Sequence, residues 1–358
     1  MGERADGLIG LVINENGRIP EAEKTFRHYE SVLYAFYNRE LTINSSDVVT
    51  ALQDCDDLLQ ISDYLGCTSL VCKPIEIALF RHGQSLFPWI QKTPHLYIEL
   101  ASRIRSEILF RECMIHLVGN WGVLRNNPQV SKRLRLLPGM RALIEKYHRA
   151  LLKKGEELEL VVMACYPGDM ASPSDDLPIK REAYARDILI WMALTFFRHW
   201  LAHRLLSNKG RHAPDSGYEL YKQLGTGGEA YMDRLVILQF HKKFPVTSKA
   251  LNVLGAHVDE IKDVVVDMVR KHGILKSECS LDLQRFPVPY LTCTEFKTAD
   301  LPWLKEAASA AVPAKREYEP GGNDIARENL EAAKRLQARR SASMSEHAEG
   351  ESEGEDGE

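Results

Sequence analysis

Apolar residues recur at helical spacing along most of the chain. Tyr29, Val32, Leu33 and Phe36 stand at i, i+3, i+4 and i+7, which sets them on one face of a helix closed by Asn38. Leu41-Thr42-Ile43 reads as a brief extended link. Asn44 or Ser46 offers a cap for a second helix, with Asp47 in the first turn, where the helix dipole favours a carboxylate. Val48, Leu52, Cys55 and Leu59 form a single stripe on it, and Gly66 ends it. A third helix starts at Thr68 or Ser69 and runs through Leu79, with Pro74 near its first turn. The spacing thus predicts three short helices across 25–80.

Farther along, residues 94–121 carry apolar side chains around most of a helical circumference. Ile104, Ile108, Leu109, Ile115 and Leu117 predict one long helix enclosed by its neighbours. Asn126-Asn127-Pro128 breaks it, and helices follow over about 129–155, interrupted by Pro138-Gly139. Residues 166–178, with three prolines among Ser and Asp, read as an exposed loop and a seam. A second helical block is predicted over 180–207, 216–240 and 247–272. Pro245 separates the last two, and Val258, Ile261, Val265 and Met268 give the last an apolar face. Residues 280–304 interleave Pro287, Pro289 and Pro302 with aromatics and predict a packed extended segment. At the front, Leu8–Ile13 reads as a short strand before an Asn16-Gly17 turn. The fold class is therefore mostly α. Expected units are 1–80, an 81–165 helical extension, a 179–311 helical region and a charged, largely disordered tail over 312–358.

The net charge of −4 over 358 residues looks featureless, with 46 Lys and Arg against 50 Asp and Glu. It divides unevenly. Residues 341–358 hold seven acids and no Lys or Arg, so the rest of the chain is slightly basic. Such a tail is expected to be disordered, and residues 323–340 suit a solvated helix with Glu331 and Arg335 at the i, i+4 spacing. Bulk charge argues against a nucleic-acid partner. Seven scattered cysteines, with no basic and then apolar leader, suit reduced thiols and a cytoplasmic or nuclear setting. The longest apolar run, Ile188–Phe197, is too short for a bilayer span of about 20 residues, so no membrane anchor is expected.

Catalytic patterns are weak. Gly225-Thr226-Gly227-Gly228 lacks both the Lys of a phosphate cradle and a preceding strand, and reads as a loop within a helical block. His199 and His203 sit at i, i+4, yet the spacer Trp-Leu-Ala lacks the glutamate of a zinc helix; they are expected to pack between helices. Cys67 and Cys72, with Cys55 and His82 nearby, lack a second ligand pair. No G-x-S-x-G elbow appears. Lys132, Arg133, Arg135 and Arg141 form a basic cluster that reads as a solvated helix face, and Lys242-Lys243 is too short for a nucleic-acid patch. No catalytic, cofactor-binding or metal-ligating residue is assigned, and no cofactor is expected.

One segment carries a family resemblance. Phe26, Leu33, Tyr37-Asn38-Arg39-Glu40-Leu41, Leu52, Cys55, Leu58, Ile61, Tyr64-Leu65 and Leu70 resemble the second half of a BTB/POZ domain, with Arg39 in place of a usual glycine. The layout is similar to fungal BTB-containing proteins. The resemblance implies helices packed beneath a sheet, and a protein-interaction role as a scaffold or ubiquitin-ligase adaptor. The family's opening strands and helices, which supply most of its dimer interface, have no counterpart before Phe26, so homo-oligomerisation is not expected. The expectation is a non-enzymatic interaction protein with protein partners. The alternatives are a metal-dependent enzyme using the 180–275 block through His199 and His203, and a chromatin-associated protein using the acidic tail.

Overall fold

The computed structural model describes residues 22–166, 188–304 and 329–337. Those up to Trp303 belong to one compact unit; Leu304 and residues 329–337 belong to a second. In the second unit residues 329–337 are helical and exposed throughout. The strand and turn expected over 8–17, most of the 166–178 loop and the acidic tail lie outside the described residues. No strand occurs among the described residues, so the fold is mostly α.

The first three helices are α1 (Ala22–Ala35), α2 (Val48–Tyr64) and α3 (Thr68–Phe80). α2 starts where a carboxylate can cap it: the Asp47 side chain accepts from Thr50 N at 2.8 Å. Asn44 serves the turn before it, its Oδ1 accepting from the backbone N–H of Ser46 and Asp47. The Val48, Cys55 and Leu59 stripe is buried as expected. Gly66 ends the helix at φ +67°, a conformation that glycine adopts at no steric cost. Pro74 lies inside α3 rather than near its first turn.

In α1 the buried face differs from the expected one. It consists of His28, Ser31, Val32 and Ala35, while Leu33 and Phe36 are exposed. Polar contacts turn the helix this way. Ser31 Oγ accepts from Thr42 N at 2.8 Å, and His28 lies between Asp54 and Asp57. The packing expected of a BTB/POZ half is therefore missing. Phe26 is 65% exposed and Tyr37 79%, and Tyr64, Leu65 and Leu70 also face solvent. Among the described residues there is no sheet for these helices to lie beneath.

The long helix expected over 94–121 is two helices. After α4 (Phe87–Lys92), α5 (Pro94–Arg103) stops and α6 (Glu107–Gly119) restarts. Arg105 takes φ +54° between them, and Ser106 caps α6 by accepting from Leu109 N. The Ser106 hydroxyl donates to buried Glu76 at 2.6 Å. A local cap held by a distant carboxylate is invisible to periodicity. α6 is the centre of the unit, with Leu109, Phe110, Cys113, Met114, Leu117 and Val118 fully buried. Ile108 is the exposed exception among the five residues expected to be enclosed.

α7 (Trp121–Leu124) and α8 (Pro128–Leu134) follow, the latter capped by Asn127, which accepts from Gln129 N. α9 (Met140–Met163) begins after Pro138 and Gly139. The second block comprises α10 (Ile188–Leu206), α11 (Tyr218–Thr226), α12 (Arg234–Lys243) and α13 (Ser248–His272). α13 is its spine and packs against α9, α10, α11 and α12 through buried Leu254, Val258, Ile261, Val265 and Val269. The helix expected over 216–240 is broken by the glycines after α11. Gly227 sits at φ +67°, and a Cβ there would lie 2.6 Å from Val266 Cγ2 of α13. Among the described residues no helix is long and apolar enough to cross a membrane.

After α13 the chain crosses the first block as turns and irregular segments, with a 3-10 turn over Thr298–Asp300, rather than as the extended segment the prolines suggested. Glu112 of α6, almost fully buried, accepts from Ser280 N at 2.7 Å and Leu281 N at 3.2 Å. His116 joins Glu112 at 3.2 Å and Tyr290 Oη at 3.0 Å. Phe296 packs against Phe110 and Tyr147, and Trp303 meets Phe110 edge-on at 5.4 Å between ring centres. Asp300 takes Lys146 Nζ at 2.6 Å and Tyr147 Oη at 2.8 Å. Leu291 O would lie 2.2 Å from a Cβ at Gly119, so only glycine permits this backbone approach.

Candidate functional site

A broad concave apolar surface lies between α10 and α12. Ile188, Trp191, Met192, Thr195, Phe196 and His199 line it from α10. Val236, Gln239, Phe240 and Lys243 of α12, with Phe244 just beyond, complete a groove of about 720 Å³. Spacing explains the first wall, since residues 188, 192, 195, 196 and 199 return to one helical face. α12 is fixed by Asp233, whose side chain accepts from Val236 N at 3.0 Å. Aromatic rings bind the walls together. Phe196 and Phe240 lie 4.5 Å apart between centres, and Phe240 and Phe244 5.1 Å, each pair tilted near 30°. Phe244 is nevertheless 58% exposed, and Ile188 also faces solvent. Exposed aromatic and aliphatic surface of this kind, gathered in one cleft, marks an interaction site more often than a chance feature.

The electrostatics are one-sided. Neither α10 nor α12 contains an Asp or Glu, whereas together they carry Arg198, Arg204, Arg234, Lys242 and Lys243. Arg198 is engaged, donating to Cys165 O and stacking over Tyr166, and Arg204 stacks over Trp200. No described acid pairs with Lys242 or Lys243, and both side chains are exposed.

His199 and His203 were expected to pack between helices, but both are exposed. His199 lines the groove, and no third described ligand converges on the pair. Cys55, Cys67 and Cys72 stay in the helical core of the first block without gathering a ligand set with His82. Burial raises the Cys55 thiol to about 12, which leaves it inert. In the basic cluster Lys132 and Arg135 are solvated, Arg133 pairs with Glu99 and Arg141 with Glu145. Residues 225–228 are shaped by packing against α13, since a Cβ at Gly225 would meet Leu275 and Val269.

One cluster escaped sequence reasoning. His28, Asp54 and Asp57 offer ligand atoms within 4.8 Å of one another. Lys24 already supplies the countercharge, 3.0 Å from Asp57 and 3.4 Å from Asp54. Burial lowers the His28 pKa, with the flanking carboxylates opposing it. The arrangement is a lysine-neutralised ion-pair cluster joining α1 to α2. No sequence signal announces it beyond Lys24 and His28 at i, i+4 and Asp54 and Asp57 at i, i+3.

The family model for the FF domain, of fungal type, matches residues 167–272, less than a third of the chain. The match contains all of α10 to α13, and hence both walls of the groove. No curated protein and no solved structure gives a match. The BTB/POZ resemblance is thereby corrected. No such family model matches, and of the residues that carried the likeness, Cys55, Leu58 and Ile61 are core while Phe26, Leu33, Tyr37, Tyr64 and Leu70 face solvent. Amphipathic helices of similar length share such spacing across unrelated folds, which is why the pattern misled.

Proposed function

We propose that the protein is a non-enzymatic protein–protein interaction protein and that the α10–α12 groove is its docking face. The observation that carries the reading is the coincidence of that groove with the segment similar to FF domains. FF domains are protein–protein interaction domains whose partners include phosphorylated proteins. The aromatic floor supplies anchoring area at low conformational cost, and the surrounding helices hold it in shape before a partner arrives. A metal-dependent enzyme built on the 180–275 block would need a third ligand beside His199 and His203, and no described residue supplies one. The ubiquitin-ligase adaptor reading has lost its basis with the BTB/POZ likeness.

The test is site-specific photocrosslinking in cells. A photoreactive benzoylphenylalanine at position 244 should capture a discrete protein partner. The same group at exposed position 160, on α9, should not capture it. Identical crosslink patterns from both positions would overturn the assignment of the groove.

A further inference from the structure

We infer that the cavity between α9 and the segment after α13 binds a small organic monoanion, a carboxylate carried on an apolar body the size of a single ring. The site lies outside the 167–272 match and does not depend on the docking reading above. Tyr147, Ala150, Leu151 and Lys154 return to one face of α9 at i, i+3, i+4 and i+7 and form the first wall. The segment after α13 forms the second, pinned where Lys297 N donates to Tyr147 Oη at 3.1 Å. The cavity between them measures about 280 Å³.

The lining chooses the ligand's charge and shape. Lys154 and Lys297 both line the cavity, and no described acid pairs with either. Burial raises the Cys293 thiol pKa and the Lys154 charge opposes that rise, so the ammonium stands near this wall. Thr294 lines the second wall, is 6% exposed, and its hydroxyl has no hydrogen-bond partner. A ligand oxygen met by a turn about χ1 would satisfy it. Glu295 sets the balance: two ammoniums and one carboxylate leave a single positive charge, which a monoanion neutralises and a dianion overshoots. Ala150, Leu151 and the Tyr147 ring supply the apolar surface, the Tyr147 hydroxyl being spent on Asp300. An apolar body against them gains burial that a bare inorganic ion lacks.

The experiment titrates the full-length protein into para-fluorobenzoate and follows the ligand by fluorine NMR. Binding should saturate with a Kd below about 10 mM. Lys154→Ala and Lys297→Ala should each weaken it about tenfold, the worth of a hydrogen bond to a charged group. Thr294→Val keeps the side chain's shape and should weaken it about threefold. Lys132→Ala removes the same charge at a solvated position and should leave the affinity unchanged. Circular dichroism of the lysine variants should match the parent. No saturable binding up to about 10 mM would overturn the site. Full affinity in both the Lys154 and Lys297 variants, or equal weakening by Lys132→Ala, would overturn it too. Equal binding of the neutral para-fluorobenzamide would overturn the anion. Displacement of the benzoate by inorganic phosphate at lower concentration would overturn the monoanion with an apolar body. None of these outcomes bears on capture from position 244, so the docking reading stands or falls separately.

Discussion

Removing the Glu112 carboxylate should detach the segment after α13 from the first helical block. Glu112 is 1% exposed and accepts from three donors: Ser280 N at 2.7 Å, Leu281 N at 3.2 Å and His116 Nε2 at 3.2 Å. Two of these are backbone N–H groups in a segment with no ladder of its own, and the carboxylate is their partner. Losing one member of a buried, hydrogen-bonded charged network costs about 3–5 kcal/mol, so Glu112→Ala should destabilise by that amount. Whole domains are stable by only about 5–15 kcal/mol, which makes the loss a large fraction of the total. Glu112→Gln keeps the shape and part of the acceptor capacity, but turns an amide N–H toward a donor; its cost should be about 1–3 kcal/mol. Thr298→Ala removes only solvated hydrogen bonds to Arg111 and Glu107 and should cost no more than about 0.5 kcal/mol. Urea denaturation gives these differences, and amide exchange at Ser280 and Leu281 shows whether the segment opens locally. A Glu112→Ala protein within about 0.5 kcal/mol of the parent, with both amides still protected, would refute the reasoning.

A paired glycine test separates close approach from helix propensity. Gly119→Ala should destabilise by about 1–3 kcal/mol, since its Cβ would press on Leu291 O and Tyr290. Gly255→Ala, mid-helix in α13 with nothing within 4 Å, should stabilise by about 0.5–1 kcal/mol; thermal melts of both decide. Tyr221→Phe should cost about 1.5–3 kcal/mol in urea denaturation, because the buried Tyr221 hydroxyl donates to Glu159 at 2.8 Å while Arg211 holds the other carboxylate oxygen. Stability should also fall at both ends of the pH scale. Burial raises the Cys55, Cys113, Tyr97, Tyr221, Tyr231 and Tyr290 pKa values. The native state then keeps protons that the unfolded chain releases, and stability drops as pH rises above about 9. Burial lowers His28, His95, His148 and His272, so the unfolded chain binds protons first and stability drops as pH falls below about 6.5. A flat urea midpoint from pH 5 to pH 11 would contradict both signs.

Much of the helical framework was legible from spacing alone. The apolar stripe of α2, the face of α13, the stop at Gly66 and the absence of a long helix over 280–304 follow from periodicity and from residues that cannot continue a helix. What misled was a rule applied where tertiary contacts decide. α1 turned its Leu33 and Phe36 outward because Ser31 and His28 found polar partners on the following chain. α5 and α6 separated because Ser106 is held by Glu76, thirty residues earlier. The groove was legible only in part. Its residues lie in the conspicuous apolar run Ile188–Phe197 and in a segment that looked like part of a longer helix. His199 and His203 drew attention as metal ligands, while the neighbouring Phe196 made the surface with Phe240 and Phe244.

The sequence by itself determined a mostly helical chain, with apolar stripes for a core, buried thiols and an acidic tail. These follow from local composition and period, which need no partner to be read. The tertiary structure alone decided which stripes are buried and which are offered to solvent. A stripe is core only if another element covers it, and coverage depends on contacts such as Glu112 with Ser280 and Gly119 with Leu291, far apart along the chain. The same logic placed an acid-free pair of helices side by side and left the aromatic cleft between them open.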